Sequence, residues 1–310
     1  DGVLTGGVGE LEKAMDEEEL EDAWTRINEV RQKEIEEAEK LGDRKGIIKK
    51  PNSNRSIRYV EALSILKSLD LQKHAKEIKT EDLSGGGLRF LFFGRPKLKT
   101  AEMKSERDTV FLMAKEKLNH EDAKQVRILL SLYMRIMGDS RSCPVFGSHW
   151  SSLGFQGNDP GTDLRDAGLF GLLQMCYMAE IHPDLTKRVM KLSRDSEQKF
   201  PFAVVSLNWT GTVMQVLREG KLFHMINKTK SVFEVCNLLH SAIYYTFIVK
   251  WKNEQRTIIH FGEVRRAVDK QVRANPVDII KKFEAYQETM KVRNAAIAGA
   301  AAGGGEISSM

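Results

Sequence analysis

The sequence predicts an all-α fold, a multi-helix bundle with an N-terminal helical extension. Apolar residues recur at helical spacing from Thr100 onward, and prolines stand where several helices begin. No segment alternates with period two between hairpin turns, which favours a helix bundle over an α/β fold. With 310 residues and 41% hydrophobic content, the chain can bury one substantial core.

Composition shifts divide the chain into four predicted parts. Residues 1–54 form a charged helical arm and linker, and residues 55–99 form a helical extension with a Gly-rich joint. Residues 100–292 form the main domain, and residues 293–310 form a flexible, low-complexity tail. Within the arm, Glu10–Leu41 is either an amphipathic helix with a narrow apolar stripe or a solvated arm. The joint lacks the Lys and Ser/Thr of a Walker motif, so it is interpreted as a flexible connection.

The helices are predicted from apolar spacing and from proline positions. The segment Gly168–Ile181 presents Leu169, Leu172, Leu173 and Cys176 on what should be one buried face. Pro183 and Pro201 each stand where a first helical turn tolerates a missing amide hydrogen. The other predicted helices are Ile57–Ile78, Ala101–Leu118, Glu121–Met137, 231–251, 258–274 and 277–292.

Charge and residue usage argue against several functional classes. A formal charge of +5, from 48 basic and 43 acidic residues, is too small and too mixed for a nucleic-acid binder. The apolar stretch Leu238–Trp251 is shorter than the roughly 20 residues that span a bilayer, so no transmembrane segment is expected. We expect a cytoplasmic protein, with a peripheral association with organelle membranes left open.

Cysteines and histidines show no metal-ligand spacing, so neither a metal site nor a cofactor of the chain's own is expected. The odd number and wide spacing of the cysteines fit a reducing compartment. These residues are Cys143, Cys176, Cys236, His149, His182 and His240.

One loop carries the candidate chemistry: HWSSLGFQGNDPGTDLRDAG, residues 149–168. Its glycines and its proline disfavour a continuous helix, and its two aromatic residues can anchor it to the core. Thr162 or Asp163 is expected to cap a helix that begins near Arg165. A cation is disfavoured at that end of a helix. Arg165 is therefore either paired with Asp159, Asp163 or Asp166, or displayed towards the phosphates of a partner.

The string WSSLGFQGNDPGTDLRDAG resembles the signature of the ELMO (engulfment and cell motility) domain. FPFAVVSLNWT at 200–210 and VKW at 249–251 match further along, so the resemblance covers roughly residues 88–290. Upstream, LRFLFFGRPKL and ERDTVF are similar to subgroup three of the ELMO domain-containing proteins. The resemblance implies a helix bundle of the ELMO-domain type.

The resemblance also implies a GTPase-activating protein for Arf and Arl small GTPases, in which Arg165 acts as an arginine finger in trans. The chain would not itself be an enzyme, and GTP and Mg²⁺ would be bound by the partner GTPase. Asp166 departs from the family pattern, which has Gly after the arginine. The positions that match the motif are Trp150, Gly154, Phe155, Gln156, Gly157, Pro160, Thr162 and Asp163.

A second function remains open, that of a non-catalytic adaptor. Larger ELMO scaffolds use related domains in complexes that activate Rho-family GTPases, and this chain would likewise bind a GTPase or an exchange-factor partner. An arginine at the motif position favours the activator over the adaptor.

Overall fold

The computed structural model describes residues 56–81, 97–138, 143–164 and 167–303, with side chains described as far as residue 295. All of these fall in one of the two units of the chain, Ile48–Met310. The arm predicted at 1–54 and the three glycines of the joint lie outside the described residues. Arg165 and Asp166 also lie outside them.

The described residues form helices joined by turns, and no strand occurs among them, so the all-α prediction is confirmed. We number the α-helices in chain order: α1 Tyr59–Lys67, α2 Ala101–Lys115, α3 Ala123–Met137, α4 Pro160–Asp163, α5 Gly168–Ile181, α6 Pro183–Ser193, α7 Phe202–Arg218, α8 Phe223–Thr229, α9 Val232–Asn253, α10 Phe261–Ala274 and α11 Pro276–Gly303. Short 3₁₀ turns lie at Gln72–His74, Ser148–Leu153 and Ile258–His260.

Several helix boundaries agree with the sequence prediction. Helix α5 has the predicted bounds, and α6 begins at Pro183 as expected. Pro201 is the residue before α7 and has extended backbone, so it stands at the N-cap and the first helical residue is Phe202. Helix α11 runs to Gly303, past the expected end at 292, because the Ala-rich sequence there has high helix propensity.

The N-terminal extension differs from its prediction. The single helix expected over Ile57–Ile78 ends at Lys67, and a 3₁₀ turn follows. Two backbone amides fix the start of the extension: Ile57 donates to Ser131 Oγ at 2.7 Å, and Tyr59 donates to Glu180 Oε2 at 2.7 Å. The extension therefore packs into the same hydrophobic core as the helices that follow it.

Helices α5 and α9 form the centre of the bundle. Helix α5 contacts α1, α2, α3, α6, α7 and α9, and α9 contacts α2, α5, α6, α7, α8, α10 and α11. The expectation of one buried face on α5 is wrong, because every residue from Gly168 to Cys176 is buried. A helix surrounded by neighbours must be apolar all round.

Helix α9 corresponds to the helix predicted at 231–251, and it extends beyond both ends of the apolar stretch Leu238–Trp251. By length and composition alone it could cross a membrane, which makes it the one described helix with that property. Of its most apolar window, however, 72% is buried inside the protein. Its composition is that of a central core helix, since seven other helices cover it.

Candidate functional site

The motif loop is attached to the core through Trp150. This side chain is fully buried, and its Nε1 donates a hydrogen bond to the carbonyl oxygen of Val145 at 2.9 Å. The rings of Tyr133 and Phe155 meet it edge-on, at centroid distances of 5.2 and 5.7 Å. Phe155 is also buried, so two aromatic residues fix the first half of the loop.

Gly154 brings the loop against the start of α7. Its φ of +74° lies in the left-handed region, and a Cβ atom there would stand 2.3 Å from the amide nitrogen of Phe202. The same atom would stand 2.5 Å from the carbonyl carbon of Pro201. Only glycine permits this approach of two main chains. Gly154 is therefore required both by the close packing against α7 and by its own positive φ.

The second half of the loop contains the one-turn helix α4, which is capped by Asp159. The Asp159 carboxylate accepts from the Gly161 amide at 2.7 Å, and its carbonyl accepts from Thr162 Oγ1 at 2.8 Å. Asp163 accepts a hydrogen bond from the backbone amide of Gln156, which ties the helix back to the glycine turn. Pro160 is buried at the first helical position.

The cap predicted from the sequence is therefore wrong. Thr162 and Asp163 lie within α4, and the next helix begins at Gly168, after an N-cap residue whose side chain makes no capping bond. The reason is tertiary: Gly168 has φ +54°, and a Cβ atom on it would stand 2.5 Å from the carbonyl oxygen of Met113. The backbone must turn there before it can become helical.

The residues that flank Arg165 and Asp166 are fixed in the core. Leu164 and Ala167 are both buried, and the Ala167 amide donates to the Leu164 carbonyl at 3.2 Å. Two residues further on, the Leu169 amide donates to the carbonyl oxygen of Glu116 at 3.0 Å. The main chain is thus held immediately before and after the two central positions.

His120 is a part of this site that no sequence pattern predicts. Its Nε2 lies 3.0 Å from Asp159 Oδ1, and its ring lies 4.7 Å from that of Phe146. No spacing rule connects residue 120 with residue 159. Asp159 itself could have been recognised, since an Asp directly before a Pro is a common N-cap pattern.

Three histidines, one of them in the motif loop, have a lowered pKa because the protein buries them at least in part. Burial lowers the pKa of His182 to about 4 and that of His240 to about 4. Burial also lowers the pKa of His149, which packs against Trp150. Within the described ranges, no three or more His, Cys, Asp or Glu side chains are grouped so as to hold a metal ion.

The all-helical bundle and its glycine-bent loop define the class of protein. Residues 108–265 match the ELMO/CED-12 family, and the chain belongs to that family. It is 32% identical to ELMO domain-containing protein 3 of Bos taurus over 234 residues, which cover 74% of this chain and 61% of the relative.

Other relatives agree with this assignment. The identity to ELMO domain-containing protein 3 of Homo sapiens is 32% over 248 residues, 79% of this chain and 65% of the relative. ELMO domain-containing protein 2 of Mus musculus is 24% identical over 168 residues, 53% of this chain and 57% of that protein. The chain thus spans less than two thirds of the length of each of these three relatives.

Proposed function

We propose that this chain is a GTPase-activating protein for small GTPases of the Arf and Arl families, and that Arg165 supplies an arginine finger in trans. The observation that carries the proposal is the fixed main chain around that position. Leu164 and Ala167 are buried. The Leu169 amide donates to the carbonyl of Glu116 at the end of α2, and the Asp163 carboxylate accepts from Gln156 in the glycine turn. Main-chain anchors on both sides of this position would limit the backbone entropy that is lost when a partner binds.

In the proposed mechanism, the partner GTPase binds GTP and Mg²⁺ and positions the attacking water. The Arg165 guanidinium enters the nucleotide pocket and neutralises the charge that develops on the phosphoryl oxygens. Arginine suits this role because its planar fork donates two parallel hydrogen bonds. Such a finger accelerates hydrolysis by about 10³–10⁵, which corresponds to a barrier roughly 4–7 kcal/mol lower. The encounter is proposed to occur in the cytoplasm.

The test is single-turnover GTP hydrolysis by a panel of purified Arf and Arl GTPases, with the full chain added in excess. We expect Arg165→Lys to abolish the stimulation and to leave the melting temperature almost unchanged, since lysine keeps the charge but loses the fork. Arg265→Lys is the matched control, because Arg265 is exposed and lies on α10, which is not part of the motif loop. It should keep the full stimulated rate.

Two results would overturn the proposal. If Arg165→Lys lowers the melting temperature steeply and leaves turnover unaffected on every GTPase, the residue is structural. If the wild-type chain binds a GTP-loaded GTPase and never accelerates hydrolysis, the chain is an adaptor. A further variant, Asp166→Gly, restores the family pattern, and a higher stimulated rate would show that the Asp166 carboxylate restrains the arginine.

A further inference from the structure

Phe146 is an unusual surface residue. Its side chain is 41% exposed, and it is the only aromatic side chain among the large apolar residues that the described ranges expose. The other exposed residues of this kind are aliphatic: Val60, Ile181, Ile259 and Val292. Aromatic side chains, Phe among them, are enriched at protein interfaces relative to the rest of the surface.

The backbone on both sides of Phe146 is held by the motif loop. The carbonyl of Val145 accepts from the buried Trp150 ring nitrogen at 2.9 Å, and the Gly147 amide donates to the carbonyl of Asn158 at 2.9 Å. The exposed ring therefore projects from a segment that is bonded at each neighbour. A side chain displayed in this way loses little entropy when a partner covers it.

His120 connects Phe146 to the segment that leads to Arg165. The His120 ring packs against Phe146 at a centroid distance of 4.7 Å, and its Nε2 lies 3.0 Å from the Asp159 carboxylate. Asp159 caps α4, whose four residues rise about 6 Å and end next to Leu164. A standard interface covers about 800 Å² on each partner, which is wide enough to include both Phe146 and Thr162, an exposed residue of α4.

We propose that Phe146, supported from behind by His120, is the apolar anchor with which this chain docks on a GTP-loaded small GTPase. This inference rests on the proposed function and names the surface that the partner meets. The GTPase must then present an apolar pocket beside its nucleotide site, at a short distance from the point where the arginine enters. Docking at Phe146 sets the affinity, whereas Arg165 sets the rate.

The experiment measures the single-turnover rate as a function of the concentration of the full chain, which gives a half-saturating concentration and a maximal rate. For Phe146→Ala we expect the half-saturating concentration to rise about tenfold or more, with an unchanged maximal rate. Phe146→Leu should recover part of the affinity. Ile259→Ala is the matched control, because Ile259 is an exposed apolar residue in the turn before α10.

The inference falls if Phe146→Ala leaves the half-saturating concentration unchanged, or if it lowers only the maximal rate. It also falls if analytical ultracentrifugation shows that the wild-type chain self-associates through Phe146, since the surface would then join two copies. Failure of the proposed function has a different signature, which is loss of the Arg165 effect. In that case, direct titration of the GTP-loaded GTPase still shows whether Phe146 contributes to binding.

Discussion

The carboxylate of Asp163 accepts a hydrogen bond from the backbone amide of Gln156, seven residues earlier in the chain. This bond closes the glycine turn onto the end of α4, directly before Leu164. The position of the following residues therefore depends on one side chain that the surrounding loop partly buries.

Asp163→Ala should destabilise the protein by about 1–3 kcal/mol, because the partly buried Gln156 amide loses a charged acceptor. Asp163→Asn keeps an acceptor oxygen, so its free energy of unfolding should fall by less than half of the loss in Asp163→Ala. Urea unfolding at equilibrium measures both differences. Equal losses for the two variants would show that the hydrogen bond is not what Asp163 contributes.

Gly154→Ala and Gly157→Ala form a matched pair. Both glycines have positive φ, +74° and +81°, but a Cβ atom at Gly157 meets nothing within 4 Å. Gly157→Ala should therefore cost about 1 kcal/mol, from backbone strain alone. Gly154→Ala should cost clearly more, because its Cβ overlaps the main chain of Pro201 and Phe202. Thermal denaturation ranks the two, and similar melting temperatures would contradict the packing argument.

His182 and His240 should make the protein less stable in mild acid. Burial lowers the pKa of each to about 4, below the ordinary value of 6.5. The unfolded chain then binds more protons than the folded chain between these values, so stability falls as the pH drops from about 6.5 to about 4. Above about pH 6.5 both histidines are neutral in the folded and in the unfolded chain, so they no longer change the free energy of unfolding with pH.

The measurement is the free energy of unfolding at several pH values. His182→Leu should flatten its slope between pH 6.5 and pH 4, whatever its effect at neutral pH. His224→Leu, at an exposed position on α8, is the control and should keep the wild-type slope. A wild-type slope in the His182 variant would mean that folding does not lower the pKa of this side chain.

The three cysteines should differ in reactivity. Cys176 and Cys236 are buried, and burial raises the pKa of both thiols, that of Cys176 to about 12. Cys143 is only half-buried. Under native conditions a disulfide reagent should modify Cys143 first, and the other two only after unfolding. Rapid native modification of Cys176, detected by mass spectrometry of peptides, would contradict the described packing.

The sequence predicted those parts of the fold that depend on local chemistry. Helix α5 is predicted from the helical spacing of its apolar residues, and α6 is predicted because Pro183 opens it. The complete burial of α5 could not be predicted, since it depends on which helices surround it. Helix α1 ends at Lys67, earlier than predicted, and a 3₁₀ turn follows. His74 of this turn pairs with Glu116, at the end of α2, at 2.8 Å.

At the candidate site, too, local chemistry is predictable from the sequence and tertiary contacts are not. The burial of Trp150 and Phe155 follows from their aromatic character within a polar loop. The backbone turn at Gly168 arises from contact with Met113, and the role of His120 arises from a contact with Asp159. Neither contact leaves a spacing signal in the sequence. Single-residue roles of this kind become visible only when distant segments are placed together.

The contacts of Tyr59 bear on how the protein can be shortened for experiments. Its amide donates to Glu180, and its hydroxyl accepts from Asn237 on α9 at 2.7 Å, although Tyr59 precedes the family-matched region 108–265 by many residues. A fragment limited to residues 108–265 would lose the hydrogen bonds that Tyr59 makes to Glu180 on α5 and to Asn237 on α9. It would also expose apolar surface that the missing segments cover in the full chain. Soluble expression of a minimal fragment therefore requires a start before Ile57 and an end beyond Phe283, a fully buried residue of α11.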